Sequence, residues 1–192
     1  MGGEVMIEQV KTTDFMRDLS ESHKKTLHPF VGQTITKLCE RLQIINPVWR
    51  IGSVSEDKEG ADIVLCGTHN GKYKELKIDL KITDKPSYKR IPVEWQRGLG
   101  QIATPWAISG KSSIILWINT ALKRASFVSG TNLARELTAS PHGNLTRNML
   151  TTGFDYRGKS VCNGQTFETK CRIVNKDVFD HWAKALGIGG GL

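Results

Sequence analysis

Apolar and polar residues alternate most regularly between Lys72 and Thr83, KYKELKIDLKIT. Leu76, Ile78, Leu80 and Ile82 share one face; Glu75, Lys77, Asp79 and Lys81 share the other, the period of a half-buried strand. An apolar run, Gly60–Cys66, precedes it, and Asn70-Gly71 lies between the two. Asn-Gly accepts positive φ at both central positions of a type I′ turn, so the stretch predicts a β-hairpin with arms Gly60–Cys66 and Lys72–Thr83. A two-residue loop sets His69 opposite Lys72, Leu65 opposite Leu76, Ile63 opposite Ile78 and Asp62 opposite Asp79. The register that buries the apolar pairs therefore also brings two aspartates together.

The same reading runs along the rest of the chain. Met1–Val10 is mixed and reads as a strand or an extended arm. Thr13 or Asp14 caps a short helix through Lys24, with Phe15, Met16 and Leu19 on one side. Pro29 suits the first turn of a helix over Pro29–Leu42, whose Val31, Ile35, Leu38, Cys39 and Leu42 keep helical spacing. Asn46-Pro47 marks a turn, Val48–Val54 a strand, and Ser55–Glu59 a charged turn before the hairpin. Pro86 closes the loop after it. Pro92–Ala103 reads as a helix carrying Trp95, Leu99 and Ile102 and stopping before Pro105. Ser113–Asn119 is an almost continuous apolar run of strand length, as expected for a strand buried on both faces. Ala125–Ser129 reads as a strand and Thr131–Thr138 as a helix capped by Thr131 or Asn132. Ser140–Gly164 is rich in turn residues, Phe167–Val174 reads as a strand, and Asn175-Lys176-Asp177 opens a last helix through Leu186. The tail Gly187–Leu192 is expected to fray. These elements predict an α/β fold in which helices flank a mixed sheet.

At 192 residues the chain suits one domain. Cys39, Cys66, Cys162 and Cys171 form no C-x-x-C pair, which argues against a zinc ribbon and for reduced thiols; a Cys162–Cys171 bridge is left open. No signal-peptide pattern and no membrane-length apolar run is visible, so the expectation is a soluble cytoplasmic protein with no membrane partner. The net charge of +8 favours a polyanionic partner. Between Lys72 and Arg97 eight bases face four acids, which concentrates half that charge in a short stretch. Lys85, Lys89 and Arg90 follow the second hairpin arm directly and are candidates to grip phosphates, with Tyr88 among them to stack on a base or sugar.

Candidate chemistry narrows to the hairpin. The five histidines show no H-E-x-x-H or other metal spacing, no G-x-S-x-G elbow is present, and Gly98-Leu99-Gly100 lacks a phosphate-loop ending. Opposed carboxylates on an antiparallel pair have Cβ atoms roughly 4.5–5.5 Å apart and destabilise the sheet unless a cation joins them. Lys81 shares their face, so two oxygen donors for Mg²⁺ stand beside an ammonium that would act on a phosphate or an attacking water. Four acidic-x-Lys triplets occur, Glu56-Asp57-Lys58, Glu75-Leu76-Lys77, Asp79-Leu80-Lys81 and Glu168-Thr169-Lys170, and only the third has an acid opposite it in the register. The bland alternative is a hairpin with a solvated charged face.

Asp62, sixteen intervening residues and then Asp79-Leu80-Lys81 resembles the PD-(D/E)XK nuclease superfamily, with Ala61 where that family has its proline. The resemblance is close over the hairpin and loose over its flanks, from about Pro29 to Asn119. It implies a restriction-endonuclease-like αβββαβ core, with Mg²⁺ (or Mn²⁺ in its place) on Asp62, Asp79 and the Leu80 carbonyl. It further implies Lys81 as a catalytic group and phosphodiester hydrolysis, most readily as a DNA endonuclease. The family often adds a helix Glu or Gln near the metal, for which Gln33, Glu21 and Glu40 all remain candidates. The alternatives are a nucleic-acid-binding module on the same fold without cutting activity, an RNA-directed endonuclease, and an interaction protein whose hairpin charges are incidental. The part after about residue 130 has no counterpart in the family and reads as a specificity or dimerisation extension, so a homodimer is left open.

Overall fold

The computed structural model describes residues 11–13, 24–86, 90–97, 106–138, 154–162 and 165–192. In chain order the elements are β1 (Lys11–Thr13), α1 (Pro29–Arg41), β2 (Ile45–Ile51), α2 (Val54–Lys58), β3 (Ile63–His69), β4 (Lys72–Thr83) and β5 (Arg90–Arg97). They continue as α3 (Trp106–Ser109), β6 (Ile114–Asn119), β7 (Arg124–Ser129), α4 (Gly130–Thr138), β8 (Phe154–Cys162), β9 (Gln165–Asn175), α5 (Lys176–Ala185) and β10 (Gly189–Gly191). Two sheets result. A six-stranded mixed sheet has the order β10-β7-β6-β4-β3-β2, and a four-stranded sheet the order β1-β8-β9-β5.

In the larger sheet β4 and β6 run parallel and every other neighbouring pair is antiparallel. The strand β6, IILWIN, is buried at every position, as a doubly covered strand must be. Its Ile114, Leu116 and Ile118 join one core with Ile63, Leu65, Ile78 and Leu80 of the hairpin and Val31, Ile35, Leu38 and Cys39 of α1. Its Ile115 and Trp117 join a second core with Ile91 and Val93 of β5, Val174 of β9 and Phe179 and Trp182 of α5. Trp117 and Phe179 meet edge-to-face at 4.9 Å between centroids, the favoured aromatic geometry. So α1 covers one face of the sheet, and α5 with the smaller sheet covers part of the other.

Several elements depart from the sequence reading. The segment expected as a helix over Pro92–Ala103 is the strand β5 up to Arg97, and 98–105 lie outside the described residues. The β-branched Ile91 and Val93 are buried against β6, and β5 is an edge strand, where a proline such as Pro92 is tolerated. The turn expected over Ser55–Glu59 is the helix α2, and the strand before it runs Ile45–Ile51 with a register shift around Asn46-Pro47. Within the turn-rich Ser140–Gly164, residues 154–162 form β8, which pairs along its length with β9. That register sets Cys162 opposite Gln165 and Cys171 opposite Tyr156, so the two cysteines do not face each other across this hairpin. The tail is built rather than frayed: β10 lies against β7, where a Cβ on Gly189 would come within 2.1 Å of the Phe127 carbonyl oxygen. The expected helix over Thr13–Lys24 falls largely outside the described residues, as does Met1–Val10. The last helix starts as read, with the Asn175 side chain accepting from the Asp177 and Val178 amides.

Candidate metal and phosphate site

The hairpin has the predicted register from His69↔Lys72 through Leu65↔Leu76 to Ile63↔Ile78. Asn70 and Gly71 have φ of 51° and 73°, the double positive φ of a type I′ turn. The ladder ends one step short of the aspartates. At Asp62 the chain turns toward β2: the Gly52 amide donates to the Asp62 carbonyl at 2.8 Å. A Cβ on Gly52 would lie 2.0 Å from the Ala61 carbonyl oxygen, so only glycine allows this close approach. The Asp62 side chain then takes over where β3 stops, with Oδ2 accepting from the Leu80 amide at 2.5 Å. The Ile78 backbone faces β3 and that of Lys77 faces β6, so by strand alternation the Leu80 carbonyl, like its amide, leaves β4 on the Asp62 side.

Asp79 lies beside this point. It is 5% exposed, and its Oδ1 is 2.7 Å from Lys81 Nζ. Burial pushes the Asp79 carboxyl above its ordinary value, Lys81 opposes that, and the Asp62 carboxyl adds to the rise. The Asp62 carboxyl is also raised, first by burial; the Leu80 amide and Lys81 pull it down, and the Asp57 carboxyl pushes it up by contact and like charge. The two aspartates and Lys81 therefore influence one another, although the ladder does not extend to an Asp62–Asp79 pair.

Asp57 is the residue that sequence reasoning missed. It sits on α2, which is fixed by a capping box: Ser53 Oγ accepts from the Glu56 amide at 3.3 Å, and Glu56 accepts from the Ser53 amide at 2.8 Å. Glu56 also takes both terminal nitrogens of Arg50 at 2.7 Å, and Glu59 takes Lys77 at 2.7 Å. These contacts hold the carboxyls of Glu56 and Glu59 below the usual carboxylate range. The S-x-x-E pattern at Ser53–Glu56 was the available signal that this stretch is a helix start rather than a turn. Beyond α2 the chain is tied across the sheet by the Ser112 hydroxyl, which donates to the Gly60 carbonyl at 2.7 Å.

The helix candidates for a further ligand are not brought in. Gln33 and Glu40 are exposed on α1, whose buried side packs on the sheet face opposite Asp79. Glu40 instead lines a cavity with Asp180 and Lys184 of α5. Glu21, Tyr88 and Lys89 lie outside the described residues. Lys85 is exposed just past β4, where Asn119 Nδ2 donates to its carbonyl at 3.1 Å, and Arg90 is exposed at the start of β5. Among the described residues no group of three or more His, Cys, Asp or Glu is arranged to hold a metal by itself. A cation here would take Asp62, Asp79 and the Leu80 carbonyl and complete its shell with water or phosphate oxygens, a donor set that suits Mg²⁺.

No family model, no curated protein and no solved structure matches this chain. Among the described residues no helix is long and apolar enough to cross a membrane.

Proposed function

We propose that this chain is a divalent-metal-dependent nuclease that hydrolyses phosphodiester bonds, most readily in DNA. The observation that carries the reading is the Asp62–Asp79 pair, two carboxyls held together, Asp79 buried and Asp62 half-buried, with Lys81 against Asp79. A fold keeps such repulsion at low dielectric when the site serves a task beyond stability. Supporting it, α1, β2, β3, β4, α3 and β6 follow the αβββαβ order, with α2 and β5 inserted. The pair stands on the second arm of the hairpin and at the start of the first, as the resemblance requires.

In this reading Asp62, Asp79 and the Leu80 carbonyl hold Mg²⁺, or Mn²⁺ in its place. The ion supplies charge neutralisation for the phosphate and a more acidic bound water. Asp62 has one oxygen committed to the Leu80 amide, which fixes the orientation of the other. Lys81, 2.7 Å from Asp79, would be the group to meet the reacting phosphate or water if a cation took that carboxylate, and its ammonium would stabilise charge on the phosphoryl oxygens. The contact of Asp57 with Asp62 adds negative potential that favours a dication over a monovalent ion.

The exposure of Gln33 and Glu40 on the far face favours one second reading, a nucleic-acid-binding module on this fold that does not cut. Incubation of the chain with plasmid, linear duplex, a four-way junction and RNA, each with Mg²⁺ or EDTA, separates the two. Metal-dependent cleavage lost in Asp79→Asn is the expected result. Binding of any of these substrates without metal-dependent cleavage would replace the nuclease with the second reading.

A further inference from the structure

At the carboxyl ends of the parallel pair β4 and β6, exposed basic residues gather from three separate parts of the chain. Lys24 and Lys25 come from the helical turn before α1, Lys85 from the loop after β4, and Lys123 and Arg124 from the turn into β7. The register assembles them. Thr83 at the end of β4 pairs with Asn119 of β6, and Asn119 pairs with Arg124 of β7. Two inter-strand spacings, roughly 10 Å, separate Thr83 from Arg124. Lys24 and Lys25 line a cavity of about 320 Å³ with Ile82, Thr83, Asp84 and Thr120 at the same end. Asn119 ties two of the three parts together, since its Nδ2 donates to the Lys85 carbonyl and its Oδ1 accepts from the Leu122 amide at 3.0 Å.

Asp84 is the acid in this rim. Among the described residues none of the five bases forms an ion pair, whereas Arg50, Lys77, Lys81 and Lys176 each meet a carboxylate. Five bases gathered against one acid raise the potential of that end and favour an external polyanion. The Arg124 side of the rim lies on the face of the candidate site, and Lys24 and Lys25, grouped with Ile82, border the same strand ends from the α1 face. Asp79, Lys81 and Thr83 are successive residues on one face of β4, and Arg124 shares that face by register. On the amino-terminal side of Asp79 that face carries the Lys77–Glu59 pair and the Ser112–Gly60 tie, so the approach lies toward the carboxyl ends, the usual ligand side of parallel strands.

We propose that Lys24, Lys25, Lys85, Lys123 and Arg124 form the phosphate track along which the nucleic-acid backbone enters the Asp62–Asp79 site. The assignment rests on the nuclease reading for its substrate class, and its test is independent of cutting. Binding of labelled short duplex DNA and of single-stranded RNA is followed by fluorescence anisotropy in EDTA over a series of salt concentrations. The test variant is Lys24→Ala/Lys25→Ala/Lys123→Ala/Arg124→Ala. The control is Lys72→Ala/Lys74→Ala, which removes exposed lysines at the hairpin tip. At ~0.9 per phosphate contact on duplex DNA, the test variant's log–log salt slope is expected to fall by about 2–4 units, with affinity reduced more than tenfold, while the control changes little. The arm that binds more tightly identifies the nucleic acid. All four test residues are exposed, and an unchanged melting temperature verifies the fold. An unchanged slope, an equal effect per lysine in the control, or no binding by the parent chain to either nucleic acid would overturn the track. Binding that follows the rim with no Mg²⁺-dependent cleavage would leave the track standing and remove the nuclease.

Discussion

Asp79 shows how opposing terms meet in one side chain. It is buried beside a second carboxyl and touches one ammonium, and burial outweighs the ammonium, so its proton is held above the ordinary value. The folded chain therefore binds this proton more tightly than the unfolded chain does. Stability from this source is present below the unfolded value and falls as pH rises toward the folded one, and Asp62 acts in the same direction. Glu56, lowered by Arg50, acts the opposite way, and its stabilisation is lost as pH falls. Asp79→Asn is thus expected to melt no lower than the parent chain in metal-free neutral buffer, with an advantage that grows as pH rises from the carboxylate range, while Mg²⁺-dependent cleavage disappears. Thermal melts across pH in EDTA check the first part, and a lower melting temperature for the variant at neutral pH would mean that the Lys81 contact stabilises the fold outright. Lys81→Ala is expected to keep Mg²⁺ binding by calorimetry and lose the cleavage rate; lost metal binding would make Lys81 a support for the carboxylates instead. Asp62, Asp79 and Lys81 were legible because strand alternation and one Asn-Gly turn fix which side chains share a face. Asp57 was not, because its contact with Asp62 depends on how α2 sits on the sheet, and no local pattern encodes that.

Elements succeed or fail as predictions according to where their stabilising contacts lie. The hairpin, α1, β6 and α5 were readable from local terms: a turn dipeptide, a Pro at the helix start, a continuous apolar run and an Asn cap. The strand β5 was not, since its helix-like spacing is overridden by pairing with β9 and by burial of Ile91 and Val93. The strand β10 consists of glycines and carries no pattern; backbone pairing with β7 alone defines it. The helix α2 is short enough that its capping box decides whether it forms. Ser53→Ala is expected to cost about 1 kcal/mol and, by loosening the segment that delivers Asp57, to weaken Mg²⁺ binding as well. Denaturant melts and a metal titration of one preparation check both, and a stability loss with unchanged metal affinity would show that Asp57 has no part in the site. Gly52→Ala is expected to be worse, on the order of 2 kcal/mol or more, because the new Cβ displaces the Ala61 carbonyl that sets the course of Asp62.

At the scale of the whole molecule, the site joins stability to ligand. The mixed sheet is closed on one face by α1 and on part of the other by α5 and the second sheet, and the aspartate pair stands on the partly covered face. The larger architecture was legible only as an α/β fold with a mixed sheet and flanking helices. The division into two sheets depends on the long-range pairing of β5 with β9 and of β1 with β8, partners far apart in sequence. In the metal-free chain the Asp62–Asp79 repulsion counts against the folded state, and unfolding relieves it. A dication bound between them reverses that sign, so Mg²⁺ should stabilise the chain by mass action, about 2.7 kcal/mol at a concentration a hundredfold above its dissociation constant. For a domain of this size such a gain corresponds to a rise in melting temperature of roughly 5–10 °C. Non-specific screening of the +8 net charge also raises stability, so the comparison must be made against NaCl at matched ionic strength. The expected result is a melting temperature that climbs further with Mg²⁺ than with NaCl at matched ionic strength in the parent chain, and no further than with NaCl in Asp79→Asn. A rise of equal size in Asp79→Asn would locate the ion elsewhere. No rise in the parent chain at saturating Mg²⁺ would mean that the two carboxylates hold a proton in the folded protein rather than a metal, and the nuclease reading of this site would fall with it.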